Sequence, residues 1–380
     1  MPHPPRSSPS TPPGPPVPRA RLLAWYRERH RDLPWRGTRD PWAILVSELM
    51  LQQTRVETVV PRYREFLARF PTPEACATAG EDAILAAWAG LGYYRRARAL
   101  HAAAERIARD GWPGDAAGLR RLPGVGPYTA AAVASIAFGE PVPVVDGNVT
   151  RVAARLLALD EDPTRGEGAR RVRALARALL DPAAPGDANQ ALMELGATVC
   201  RPRGPRCREC PLAPGCRARV KGEPERWPRL PARPATVAVT RAAVLLPRED
   251  VPDRLLFRRV PEGAHNAGLL ELPFVELHRG RPGARARGPR PTARTRQRAE
   301  ALLVEAGLPC RLGEFAGEVR HGITNHRIRV LAWWGEPGPG LSRDLPPGHE
   351  WLTSGEALRR GVPAATRRLL ELAGFTPRAR

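Results

Sequence analysis

Lysine is almost absent. The 380-residue chain carries 60 Lys and Arg against 39 Asp and Glu, yet a single lysine occurs, Lys221. Covalent chemistry that begins with a lysine Schiff base therefore has one candidate amine. Apolar runs long enough to cross a bilayer are also missing, which excludes a helical membrane span. The first 18 residues are rich in Pro and Ser and lack the apolar centre of a signal peptide, so they read as a disordered tail and a cytoplasmic location is expected. Cysteine is scarce, at six residues, and four of the six are clustered. Such clustering inside a cell points to a metal or cluster site rather than to disulfides. Cys76 and Cys310 stand apart and read as ordinary small residues.

Positive charge, by contrast, is abundant. The formal net charge is +21 and the sequence pI is near 11.2. A polyanionic partner is implied, and nucleic acid is the commonest one. The richness in Arg, Ala, Pro and Gly is also what a GC-rich genome produces, so part of the excess is compositional. The length allows two or three domains with cores of their own.

Residues 122–148 organise the chain. The stretch opens with Leu122-Pro123-Gly124-Val125-Gly126-Pro127-Tyr128-Thr129-Ala130. Pro123 disfavours helix at Leu122, and Gly124 and Gly126 permit turns that a Cβ would block. A helix is predicted over 127–138, and its first N–H groups offer a site for a phosphate, although the same pattern also makes a simple turn. The stretch closes with Val144-Val145-Asp146-Gly147-Asn148, where Asp146 is either an N-cap or a catalytic carboxylate.

Upstream, Asp40-Pro41 begins a helix well, with Asp as N-cap and Pro in the first helical position. That helix carries Trp42, Leu45, Glu48 and Leu49 and runs into Gln52-Gln53-Thr54. Glu48 lies either on an exposed polar face or among the apolar residues, where burial would raise its pKa. Gly90-Leu91-Gly92-Tyr93-Tyr94-Arg95 is an aromatic pair on a Gly-rich turn, able to stack on a base or simply to cap a turn. Downstream, Cys200-x6-Cys207-x2-Cys210-x5-Cys216 offers four thiolates at uneven spacing. That suits one [4Fe–4S] cluster; zinc is the rival, but a four-cysteine zinc site usually shows two close pairs.

These motifs together resemble the MutY-type adenine DNA glycosylases of the endonuclease III, or helix-hairpin-helix, superfamily. The resemblance implies that Glu48 protonates N7 of a flipped adenine and that Asp146 is the second carboxylate. Asn148 sets the local hydrogen bonds, and Tyr128 stands where strand-cleaving relatives carry Lys. It implies further that Gln53 fills the hole left in the duplex and Tyr93 wedges beside the damaged guanine. Gly124 and Gly126 hold backbone phosphate, and the four cysteines carry a [4Fe–4S] cluster. Ile323, Thr324 and Asn325 fall on the Phe-Ser-His loop that reads 8-oxoguanine; Asn325 departs from the family's His, and His326 follows one residue on.

The expected fold is multidomain. An all-α helix-hairpin-helix domain spans 19–216, with the hairpin at 122–130 and the cysteine loop at 200–216. A linker covers 217–236, with Trp227 as its anchor. A C-terminal α/β Nudix-like domain spans 237–374, without the full glutamate set of a nucleotide hydrolase. The expected activity is monofunctional removal of adenine opposite 8-oxoguanine or guanine in double-stranded DNA, by a monomer with no membrane partner. An endonuclease III-type glycosylase/lyase and a non-catalytic iron–sulfur DNA-binding protein are the alternatives.

Overall fold

The structure is a computed structural model and describes residues 19–232, 234–283, 288–341 and 344–375. The expected tail, 1–18, lies outside the described residues. Two compact units emerge. Residues 19–48 and 112–232 form the first, and residues 49–111 and 234–375 the second.

The first unit is helical. Leu22, Tyr26, Val152, Val172, Leu192 and Leu195 gather into one core. They come from helices Arg19–Arg29, Gly147–Leu157, Gly166–Leu179 and Pro185–Thr198. Helix Pro127–Ala137 follows the 122–126 turn, where Gly124 adopts a left-handed φ of +71°. A Cβ there would be strained, which accounts for the glycine. Gly196 is needed for space instead, since a Cβ on it would stand 2.5 Å from the Cβ of Asn148. Its bare backbone lets helix Pro185–Thr198 approach the start of helix Gly147–Leu157.

One ion-pair cluster locks this unit. Glu194 is fully buried and accepts from Arg31 Nη2 at 2.8 Å and from Arg36 Nη2 at 2.5 Å. Burial alone would raise its carboxyl, but the two guanidinium groups outweigh that and bring its pKa to about 2. The stretch expected as a linker returns to this unit through Trp227, which is 2% exposed.

In the second unit, helices Val56–Arg69, Pro73–Thr78, Glu81–Ala87 and Arg95–Asp110 precede the strands. The strands are β1 (Val237–Leu245), β2 (Arg254–Arg259), β3 (Leu270–Glu271), β4 (Phe274–Arg279), β5 (Cys310–Ile323), β6 (His326–Pro337) and β7 (His349–Thr353). Their order is β4-β1-β6-β5 in one sheet and β3-β2-β7 in the other. Strands β1 and β6 run parallel, with Val239 opposite Ile328; the remaining pairs are antiparallel. Helix Ala293–Glu305 covers one face of the larger sheet, through Ala299 and Leu303 against Val244, Leu331 and Trp333. Helix Ala364–Leu372 covers the other, through Leu369 and Leu370 against Val330 and Ala332. This is the α/β class expected. Cys76 and Cys310 are both buried and free. Among the described residues no helix is long and apolar enough to cross a membrane.

Because the Glu194 carboxyl is held below its unfolded value, its contribution is complete above about pH 4.3 and is lost as pH falls towards 2. Glu194→Gln is expected to lower the unfolding free energy by about 3 kcal/mol at pH 7. The gap from the unsubstituted protein narrows below about pH 4. Urea melts at pH 7 and pH 3 check both statements.

Candidate active site

Glu48 stands near the end of helix Pro41–Leu51, which Asp40 caps by accepting from the Trp42 N–H at 3.0 Å. Residues 42–50 are all buried, so this helix offers Glu48 no polar face to turn towards water. The side chain is 5% exposed. Its Oε2 accepts from the Tyr128 hydroxyl at 2.5 Å. Burial pushes the Glu48 pKa up to about 7; the Tyr128 bond opposes the rise and the charge of Asp146 adds to it. Tyr128 is itself held neutral, its pKa driven well above 10 by burial and then by the charges of Glu48 and Asp146. It comes from the first turn of helix Pro127–Ala137 and also touches Met193 Sδ at 3.5 Å.

Asp146 is both N-cap and candidate catalyst. One oxygen accepts from the Val149 N–H at 2.7 Å, capping helix Gly147–Leu157, while the other accepts from Asn148 Nδ2 at 2.8 Å. Burial raises the Asp146 pKa, and these donors hold the rise back. The run leading to it is fixed by the buried Asn189, whose Oδ1 accepts from Val144 N–H and whose Nδ2 donates to the Val142 carbonyl, both at 2.9 Å. The two carboxyls therefore have unequal surroundings, Glu48 on the Tyr128 phenol and Asp146 on a backbone N–H and an amide. This is the arrangement that separates a neutral acid from a charged stabiliser.

Asn148 continues the network. Its Oδ1 accepts from Arg151 Nη2 at 2.8 Å, and the same guanidinium donates to the carbonyls of Gly196 at 2.7 Å and Cys200 at 2.8 Å. One helical turn on, Arg155 is 2% exposed and donates to the carbonyls of Arg201, Pro202 and Trp227 and to Cys200 Sγ at 3.4 Å. The loop therefore hangs on two arginines spaced four residues apart, on one helix face. Cys200, Cys207, Cys210 and Cys216 line one recess and are all free. Burial, opposed by the Leu212 N–H and reinforced by the neighbouring thiols, pushes Cys210 up to about 12. Among the described residues, no group of three or more His, Cys, Asp or Glu converges so as to hold a single metal ion.

In the second unit, Gln53 and Tyr93 adopt left-handed φ angles of +59° and +47°. Arg96, 5% exposed, fixes both turns by donating to the carbonyls of Leu49, Gln52, Leu91 and Gly92. Tyr93 and Ile323 line one recess. Thr324 and Asn325 form the two-residue turn between β5 and β6; the Thr324 hydroxyl donates to the Ile323 carbonyl and Asn325 Nδ2 to that of Ala235.

Comparison with known proteins gives this geometry a family. Residues 46–178 match the HhH-GPD superfamily base excision DNA repair proteins. An adenine DNA glycosylase of Mycolicibacterium smegmatis is 47% identical over 208 residues, covering 53% of this chain and 70% of that protein. The chain belongs to the adenine DNA glycosylase family. The human adenine DNA glycosylase is 46% identical over 219 residues, covering 54% of this chain and 40% of the human protein. The Arabidopsis thaliana adenine DNA glycosylase is 39% identical over 296 residues, with 68% of this chain and 47% of that protein covered. The chain thus spans less than half the length of these two adenine DNA glycosylases.

Four supporting residues of this family member went unread in the sequence: Arg96, Arg151, Arg155 and Asn189. Arg155 left a trace, since it interrupts the apolar spacing of Val152, Leu156 and Leu159. Arg151→Leu is expected to lower the unfolding free energy by about 1–3 kcal/mol, because two carbonyls lose their donor. Arg151→Lys should recover only part of this, lacking the fork that reaches several acceptors at once. Chemical denaturation of both variants measures the difference.

Proposed function

We propose that this chain hydrolyses the N-glycosidic bond of adenine mispaired with 8-oxoguanine or guanine in double-stranded DNA, as a monomeric, monofunctional glycosylase. The observation that carries the reading is the buried Glu48 carboxyl on the Tyr128 hydroxyl, beside Asp146. A pKa of about 7 leaves much of Glu48 protonated at neutral pH. In its neutral form it delivers a proton to N7 of an adenine flipped out of the stack. The C1′–N9 bond breaks with its electron pair leaving on the base. Ionised Asp146 faces the oxocarbenium-like sugar, water adds at C1′, and its proton restores Glu48. This is the two-carboxylate logic of glycoside hydrolysis.

The other assignments follow the same reading. Tyr128 orients Glu48, and Asn148 orients Asp146. Gly124, Gly126 and the first turn after them take a backbone phosphate. Gln53 and Tyr93 act in the duplex at the mispair, and the turn of Ile323, Thr324 and Asn325 belongs to the surface that meets the opposite base. Residues 237–374 serve as a non-hydrolytic recognition domain. Cys200, Cys207, Cys210 and Cys216 would hold a [4Fe–4S] cluster. The donor set is all sulfur, the four side chains line one recess, and a single close pair in the spacing suits the cluster better than zinc. When bound, the cluster fixes the bend of a loop carrying Arg201, Arg203, Arg206 and Arg208.

Two alternatives are weaker. A lyase needs an amine, and the position of Tyr128 supplies a phenol in a chain whose sole lysine is Lys221. A non-catalytic binding protein has no use for an acid lifted to about 7.

Labelled duplexes carrying adenine opposite 8-oxoguanine, guanine, cytosine or thymine test the proposal. Strand scission should appear only after alkali and be strongest opposite 8-oxoguanine; scission without alkali would favour a lyase, and no adenine release would favour the binding protein. Glu48→Gln should slow single-turnover release by about 10²–10⁴ while the duplex is still bound. Since the proton donor is the neutral acid, the rate should fall as pH rises through about 7.

A further inference from the structure

The second unit contains a recess of about 340 Å³ whose walls come from four places in the chain. They are the aromatic turn at 90–94, His265 and Asn266 after β2, residues 321–323 at the end of β5, and the start of helix Ala364–Leu372, with Pro363 before it and Arg368 within it. The volume lies in the range that holds small planar ligands.

Tyr93, His265 and His321 bring ring and polar groups to its walls. Tyr93 keeps a left-handed φ of +47°, which a bulky side chain adopts only when its surroundings demand it. Arg96 lies 5.4 Å from the Tyr93 ring centroid and donates through Nε to the Tyr93 carbonyl at 3.4 Å. The His265 ring meets Tyr93 edge-on, with centroids 6.1 Å apart and planes at 69°. His321 Nδ1 is buried and has no hydrogen-bond partner in the protein. On the wall of a recess, such a nitrogen is open to a partner supplied by whatever occupies the space.

Both imidazoles are neutral at physiological pH. Burial, then the charges of Arg241 and Arg368 and the nearby His265, brings His321 to about 4. Burial, then Arg95, Arg241 and His326, lowers His265. A neutral imidazole offers one donor and one acceptor. That matches the edge by which an 8-oxopurine differs from guanine: N7 carries a hydrogen and becomes a donor, and C8 carries an oxygen that accepts. Thr324 and Asn325 do not line this recess, since their side chains bond to neighbouring carbonyls.

We propose that His265 is a specificity-determining residue which, with His321 and braced on Tyr93, reads the N7–C8 edge of the purine opposite the excised adenine. The proposal rests on the function proposed above and adds to it a residue that the glycosylase motifs did not mark.

The test uses the full chain with His265→Ala, His265→Phe and His265→Gln. Two readouts are taken. One is the ratio of single-turnover adenine release opposite 8-oxoguanine to that opposite guanine. The other is the ratio of affinities for duplexes in which 8-oxoguanine or guanine faces an uncleavable abasic analogue. Loss of one base-edge hydrogen bond should reduce both ratios about tenfold in His265→Ala. His265→Phe should lose as much, because the ring stays and the nitrogens go, and His265→Gln should recover part of the preference. Ratios within about twofold of the unsubstituted protein in His265→Ala, or a preference kept by His265→Phe, overturn the proposal. If the unsubstituted protein releases no adenine, the function reading fails separately, and the affinity ratio still decides the role of His265.

Discussion

Glu48 has one hydroxyl for company and almost no water. A carboxyl placed among Trp42, Leu45 and Leu49 loses the solvation that ordinarily favours its anion, and a single phenolic hydrogen bond does not make up the difference. Its helix and the phenol beside it keep that imbalance in place. The helix that carries Glu48 is buried all round, so the side chain cannot swing to solvent. Tyr128 is fixed by the glycine turn before it and remains protonated, so it donates to Glu48 and never competes for its proton.

Burial raises Asp146 as well, and the chain holds that rise back with backbone and amide donors. An N-cap carboxylate accepts from the start of its own helix, and here Asn148 adds a second bond. Asn148 is in turn held by Arg151, which also grips the carbonyl of Cys200. The first cysteine of the loop is thus tied to the carboxylate at the helix start through Arg151 and Asn148. Two hydrogen-bonded side chains, Arg151 and Asn148, are all that separate the loop from Asp146.

Much of this was legible from residue order. Glu48, Tyr128, Asp146, Asn148 and the four cysteines stand in motifs whose spacing is local, and the helices and strands around them follow from apolar periodicity. What a single sequence conceals is the partner of a buried polar group. Arg96, Arg155 and Asn189 each satisfy carbonyls or amides from loops distant in the chain, and only the break that Arg155 makes in the apolar spacing of its helix hints at such a role. The 324–325 turn illustrates the same limit. Its residue types show nothing of the carbonyls its side chains reach, nor that the register of β5 and β6 leaves His321 and Ile323 on the recess. His265 stands far along the chain from Tyr93, and no local pattern joins the two rings.

The central claim concerns a proton, and infrared difference spectroscopy observes it directly. The carboxyl band that disappears in Glu48→Gln should titrate near pH 7 in the protein without DNA. The same band titrating near 4.5, the ordinary value for a glutamate, would show a solvated anion at neutral pH and contradict Glu48 as the stored acid.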